Sequence, residues 1–482
     1  MQVKQTDWKI IYTKYEGITK TTVNFLSKEL SSRLIREPEV YRIYVLPCEK
    51  EGCDITVNAF VVGCYEESTL IQQLVSPDEV PGDGFLVKVI ANPENNDGRL
   101  VILTSHTEQE LFYAAVSFID DYIPRYAKQH GSNRMPDLIF DAPLTVCSYT
   151  EIPNHKTRSV FTWGHSINDY RAYLDNMARL KLNELVLWND YIPLNIRDII
   201  DYAHAYGIRV ILGYSWGWKE IGNKTAEITD ESIAKVKELA VREYRDNYAS
   251  VGCDGIYFQS FTERKEESVG GKLISRMVVD MVNKVAEQIW EITPNLRIIF
   301  GLHATSVRNR LDEIARVDER MEILWEDCGE FPYSYTSYVK NEEAYKETLE
   351  FTKKILALRG GVGVGLVFKG VMMLDWSKFI NQRGPYIMGE NAPSVAAHDK
   401  RIRANAWREY AANWMQSGER ALEMLRYIGE HKTGEVNMCI AGTFDGGIYL
   451  PEALCAQMYR NCGENYTELL KKVARRACIT VD

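Results

Sequence analysis

The sequence has no basic tract, and its formal net charge is −10. Both facts argue against nucleic acid or an anionic membrane surface as a partner. No apolar run approaches the length that crosses a bilayer. The N-terminus, MQVKQTDWKI, has no apolar core of signal-peptide length. No second cysteine pair joins Cys48 and Cys53 at zinc spacing, so no structural metal is expected, and no cofactor motif stands out. The glycine run from Gly360 to Gly365 follows a helical pattern and precedes a strand, the reverse of a nucleotide loop's context. Internal repeats and low-complexity tracts are absent as well.

What is present describes a globular chain. Hydrophobic residues make up 45% and charged residues 26%. The ten cysteines mostly stand singly in apolar runs, Cys64, Cys253 and Cys439 among them, and read as buried free thiols of a reducing compartment. A cytoplasmic location is the expectation, and a homodimer is left open. At 482 residues the chain exceeds one ordinary core. Its pattern divides into an α+β domain over 1–148, a (β/α)8 barrel over 149–445 and a helical segment over 446–482 that packs on the barrel.

In the first domain, strands are expected at residues 41–46, 55–62, 84–90 and 100–103. The run Asn95-Asn96-Asp97-Gly98 reads as the turn of a hairpin between the last two. Helices are expected at 21–34 and 108–127, the second opened by Thr107. A linker is expected over 133–155. After it, strands and helices alternate, as in a parallel α/β architecture. Seven strands read clearly, at 160–163, 184–188, 209–214, 256–259, 297–302, 321–325 and 366–374. An eighth, at 436–441, would close the barrel.

In such a barrel the chemistry gathers where strands end. The first strand offers Trp163 and His165; the second Trp188, Asn189 and Asp190; the third Tyr214, Trp216 and Trp218. The fourth gives Gln259 and Glu263, the fifth His303, the sixth Trp325, Glu326 and Asp327, and the seventh Lys369, Asp375 and Trp376. Indoles at strand tips beside amide, carboxylate and imidazole groups suit a carbohydrate: its C–H faces stack and its hydroxyls need polar partners. Glycosidic cleavage needs one carboxyl to protonate the leaving oxygen and another to stabilise or attack the oxocarbenium-like centre. Glu263 is the candidate acid, with aromatic neighbours expected to desolvate it. Glu326 or Asp327 is the candidate partner, and alternation lets at most one of the two point inward.

The runs Phe161-Thr162-Trp163-Gly164-His165, Gly255-Ile256-Tyr257-Phe258-Gln259 and Leu374-Asp375-Trp376 resemble glycoside hydrolases of the β-hexosaminidase and α-glucuronidase type. The resemblance implies a small N-terminal α+β domain joined to a catalytic (β/α)8 barrel, with a carbohydrate substrate. It also implies an Asp-Glu pair at the fourth strand end, where this chain has Thr262-Glu263. The α-glucuronidase-like arrangement, with carboxylates from strands four and six, suits Glu263 with Glu326 or Asp327 better. A uronic acid would want a cation in the mouth, for which Lys369 and Arg383 are candidates. Two other readings use the same residues: a glycan-binding barrel without catalysis, and a metal-dependent sugar isomerase or aldolase using His165, Glu263, His303 and Asp327.

Overall fold

The computed structural model describes residues 8–31, 35–36, 39–43, 46–55, 58–126, 144–162, 167–188, 191–221, 228–303, 306–326, 342–368, 384–431, 438–441 and 450–476. Its contacts divide the chain into two compact units: residues 1–153 with 205–207, and residues 154–204 with 208–482. Among the described residues, no helix is long and apolar enough to cross a membrane. Among the described residues, the cysteines at 48, 53, 64, 147, 253, 455 and 462 are free.

The first unit is built on a six-stranded sheet. Across it run Cys48–Lys50, Trp8–Tyr12, Asn58–Cys64, Asn95–Ser105, Phe85–Asn92 and Cys147–Glu151. Asn58–Cys64 is buried along its whole length, as its unbroken apolar run implies for a strand covered on both faces. Trp8 packs on Phe60, Phe60 on Phe118 and Phe118 on Tyr122, with ring centroids 4.9, 5.3 and 4.9 Å apart. Helix Glu108–Ser117 begins as expected, with the Thr107 hydroxyl accepting from Glu110 N, and continues through a π-turn at Phe118–Tyr122.

Three expectations for this unit are corrected. The hairpin forms, but its turn falls at Pro93 and Glu94, and Asn95 to Gly98 already belong to the returning strand. Asn92 sets that turn: its side-chain oxygen accepts from Glu94 N at 3.0 Å. Strand Cys147–Glu151 pairs with Phe85–Asn92, so part of the supposed linker is an edge strand. Strand Trp8–Tyr12 was not expected at all, being too short and mixed to show a period.

The second unit is a closed parallel barrel. Its strands are β1 (Ser159–Phe161), β2 (Glu184–Trp188), β3 (Arg209–Ser215), β4 (Gly255–Gln259), β5 (Arg297–Leu302), β6 (Met321–Trp325), β7 (Val364–Phe368) and β8 (Met438–Ala441). Each pairs with the next, and β8 returns to β1 with Cys439 opposite Ser159. The expected eighth strand therefore closes the barrel.

Alternation along these strands sorts the side chains into an inner and an outer layer. At the N-terminal ends the inner layer is ionic. Glu184 accepts from Ser159 Oγ at 2.5 Å and from Arg209 Nε at 3.0 Å, and it pairs with Arg297. Arg297 donates to both oxygens of Glu322, each at 2.7 Å. Burial alone would push the Glu184 carboxyl up, but Arg297 and Arg209 outweigh it and hold the carboxyl below its usual range.

The outer layer is aromatic. Trp216 stacks on Phe258 at 3.7 Å and Phe258 on Phe300 at 5.0 Å. Tyr214 stacks on Tyr248 at 4.7 Å and donates to Ala240 O of helix Asp230–Glu243.

Candidate active site

At the C-terminal ends of β4, β5 and β6, four inward side chains meet. Tyr257 and Gln259 come from β4, His303 follows β5, and Glu326 follows β6. Glu326 is fully buried, and His303 and Gln259 are 7% and 8% exposed. The Gln259 amide Nε2 donates to both Glu326 oxygens, at 2.9 and 2.7 Å, and lies 3.4 Å from the Tyr257 hydroxyl. His303 Nε2 lies 3.0 Å from Glu326 Oε2, so the tautomer protonated at Nε2 donates to the carboxylate.

Gly301 makes this convergence possible. It pairs with Gln259 across β4 and β5. A Cβ at this position would sit 2.0 Å from Tyr257 Oη and 2.1 Å from Glu326 Oε1. Only a residue without a side chain leaves the space in which the hydroxyl and the carboxylate come together. Tyr257 is held from the other side by Phe161 and Trp188, whose rings lie 4.8 and 5.5 Å away, both edge-on. Trp188 is half-buried and forms the wall of the site toward β2.

Of the residues expected from sequence, Gln259, His303 and Glu326 are thus brought together, with Trp188 beside them. Glu263 lies beyond the end of β4, on a loop that turns at Phe261 and Thr262, and is solvent-exposed. Strand alternation ends at Gln259, so it does not fix which way Glu263 points. Its loop is anchored: Thr262 O accepts from Ser306 N at 3.1 Å and from Ser306 Oγ at 2.7 Å.

Tyr214, Trp216 and Trp325 are corrected from substrate platforms to packing residues. They fall on the outward parity of β3 and β6, and each is buried. Trp216 is 0% exposed, and Trp325 sits edge-on to Phe351 with its indole N–H donating to Thr352 Oγ1 at 3.3 Å. Trp163, His165, Asn189, Asp190, Asp327, Lys369, Asp375, Trp376 and Arg383 lie outside the described residues, as does the side chain of Trp218. Tyr257 and Gly301 were missed. Their signals were the shared parity of Tyr257 with Gln259 and a glycine inside an otherwise bulky strand. Among the described residues, no group of three or more His, Cys, Asp or Glu is placed to hold a metal ion.

No protein-family model matches the chain, and no curated protein matches its sequence. Its fold is similar to solved structures. The GH20 beta-N-acetylhexosaminidase from Streptomyces coelicolor A3(2) superposes with a TM-score of 0.52 at 10% identity, over 97% of this chain and 90% of that one. CpGH84B superposes with a TM-score of 0.54 at 10% identity, over 97% of this chain and 70% of that one. CpGH84D gives a TM-score of 0.44 at 14% identity, over 72% of this chain; the match spans 56% of that longer protein.

Proposed function

We propose that this chain is a glycoside hydrolase that cleaves an O-glycosidic bond at the C-terminal mouth of its barrel. One observation carries the reading: a buried carboxylate, Glu326, held by Gln259 and His303 at the strand ends of a fold shared with a hexosaminidase. Pre-oriented donors from Gln259 and His303 fix the Glu326 carboxyl in place, which suits the group that faces a developing positive charge. Glu263, on the anchored loop after β4, is the proton donor to the leaving oxygen. Trp188 supplies the stacking face beside the scissile bond. The neighbouring hexosaminidase favours an N-acetylhexosaminide as substrate, and Thr262 in place of an aspartate favours a uronide. The free thiols fit a reducing, cytoplasmic setting.

The test is a set of rates on aryl N-acetylhexosaminides and aryl glucuronides of graded leaving-group pKa, for the parent, Glu263→Gln and Glu326→Gln. Glu263→Gln should lose about 10²–10⁴-fold on poor leaving groups and far less on nitrophenyl glycosides, which need little protonation. Glu326→Gln should lose activity on every leaving group alike. A panel with no turnover by the parent would sink the reading. A Glu263→Gln enzyme at parental rate on poor leaving groups would remove Glu263 from it.

A further inference from the structure

We infer that Tyr191 and Lys219 form a rim subsite for an acidic sugar unit, next to the candidate active site; the inference deepens the glycosidase reading and rests on it. Tyr191 follows β2 and Lys219 follows β3, in the helical turn Trp218–Ile221. Loops after strands lie at the same end of a barrel as the Glu326 cluster. β3 adjoins β4, with Ser215 opposite Gln259, and β2 adjoins β3. Trp188, at the end of β2, packs edge-on to Tyr257 of the cluster, and Tyr191 follows it by three residues.

The chemistry of the pair favours an anion. Tyr191 is 41% exposed, and the Lys219 ammonium lies 5.5 Å from its ring centroid. Among the described residues, no carboxylate pairs with that ammonium. The adjacent carboxylate, Glu220, is engaged elsewhere: it accepts from Gly217 N at 3.0 Å and from Ser215 Oγ at 3.2 Å. In a chain of net charge −10, an exposed lysine whose ammonium, among the described residues, faces a tyrosine ring and no carboxylate is conspicuous. Its contact with the ring is weak, and its four-carbon stem swings freely. A sugar ring laid on Tyr191 brings a carboxylate within reach of Lys219, which exchanges the cation–π contact for an ion pair.

The platform is also preset. Leu194 N donates to Tyr386 O at 2.8 Å, and Asn195 exchanges two hydrogen bonds of 2.9 Å with the Met388 backbone. These bonds hold the chain three and four residues past Tyr191, which limits the ordering a ligand must impose there.

The probes are a hyaluronan tetrasaccharide, which alternates uronate with N-acetylhexosamine, and chitotetraose, its neutral counterpart of equal length. Calorimetric affinities are measured for the parent, Lys219→Gln and Tyr191→Ala, at low and at physiological salt. The acidic chain should bind about fivefold more tightly, as one exposed ion pair allows, and less so as salt rises. Lys219→Gln should abolish that preference, and Tyr191→Ala should weaken both chains. Equal affinity for the two chains, binding of neither, or a preference that survives Lys219→Gln would overturn the inference. An intact preference with no turnover of any glycoside would instead overturn the glycosidase reading and leave the subsite standing.

Discussion

Replacing Gly301 by alanine tests the geometry of the site most directly. The new methyl would meet Tyr257 Oη at 2.0 Å and Glu326 Oε1 at 2.1 Å, where ordinary carbon contacts begin near 3.4 Å. Each oxygen must therefore retreat by more than an ångström. Tyr257 has nowhere to go, wedged between Phe161 and Trp188. Glu326 retreats only by giving up bonds of 2.9, 2.7 and 3.0 Å to Gln259 and His303. Overpacking a tight interior costs about 1–3 kcal/mol, and a buried polar group left unpaired costs about 1–3 kcal/mol more. The expected loss is therefore about 2–6 kcal/mol, read as a shift in the barrel's unfolding transition by calorimetry. Gly82→Ala is the control, since a Cβ there meets nothing within 4 Å. A Gly301→Ala protein that unfolds with the parent would show that Tyr257 and Glu326 do not converge over this glycine, and the candidate site would lose its frame.

Two further outcomes follow from the same coordinates. Trp216→Ala should cost about 3–5 kcal/mol of stability in a denaturant titration, because the indole is fully buried against Phe258; a weakened sugar affinity without lost stability would return Trp216 to the mouth. His204 lies 2.9 Å from Asp254, whose hydrogen bond raises the imidazole pKa in the folded state. A raised folded pKa gives stability that is full below the unfolded value near 6.5 and is lost as pH rises through the folded value. The melting-temperature gap between the parent and His204→Asn should accordingly narrow from mildly acidic to alkaline pH; a gap that widens would reverse the sign.

The barrel was legible because each of its strands is a short apolar run ending in polar residues, which buried parallel strands require. The candidate site was legible only in part. Position at a strand end picked out Gln259, His303 and Glu326, which the structure brings together, but the same criterion admitted Trp216 and Trp325. Parity separates these groups: Gln259 and Glu326 fall on inner positions, whereas Trp216 and Trp325 fall on outer ones under helices. The placement of Glu263 could not be read for a related reason, since alternation carries no information past Gln259, where the strand ends. Asn95 to Gly98 misled because a strong turn sequence lost to Asn92 and Pro93 just ahead of it. The role of Gly301 depends on which residues oppose it across neighbouring strands, and no single stretch of sequence holds that register.

The seam between β8 and β1 has a consequence for how the chain is made. Cys439 and Ser159 pair across more than half the length of the sequence. While the protein is being synthesised, β1 to β7 emerge in order with both outer edges of the growing sheet bare. Such edges recruit other strands, and pairings this distant in sequence form slowly. Until residues 438–441 arrive, the nascent chain is an open sheet exposed to self-association. Residues 438–441 therefore decide whether translation delivers a sealed cylinder, and deleting them alone should yield insoluble protein even though seven strands are complete.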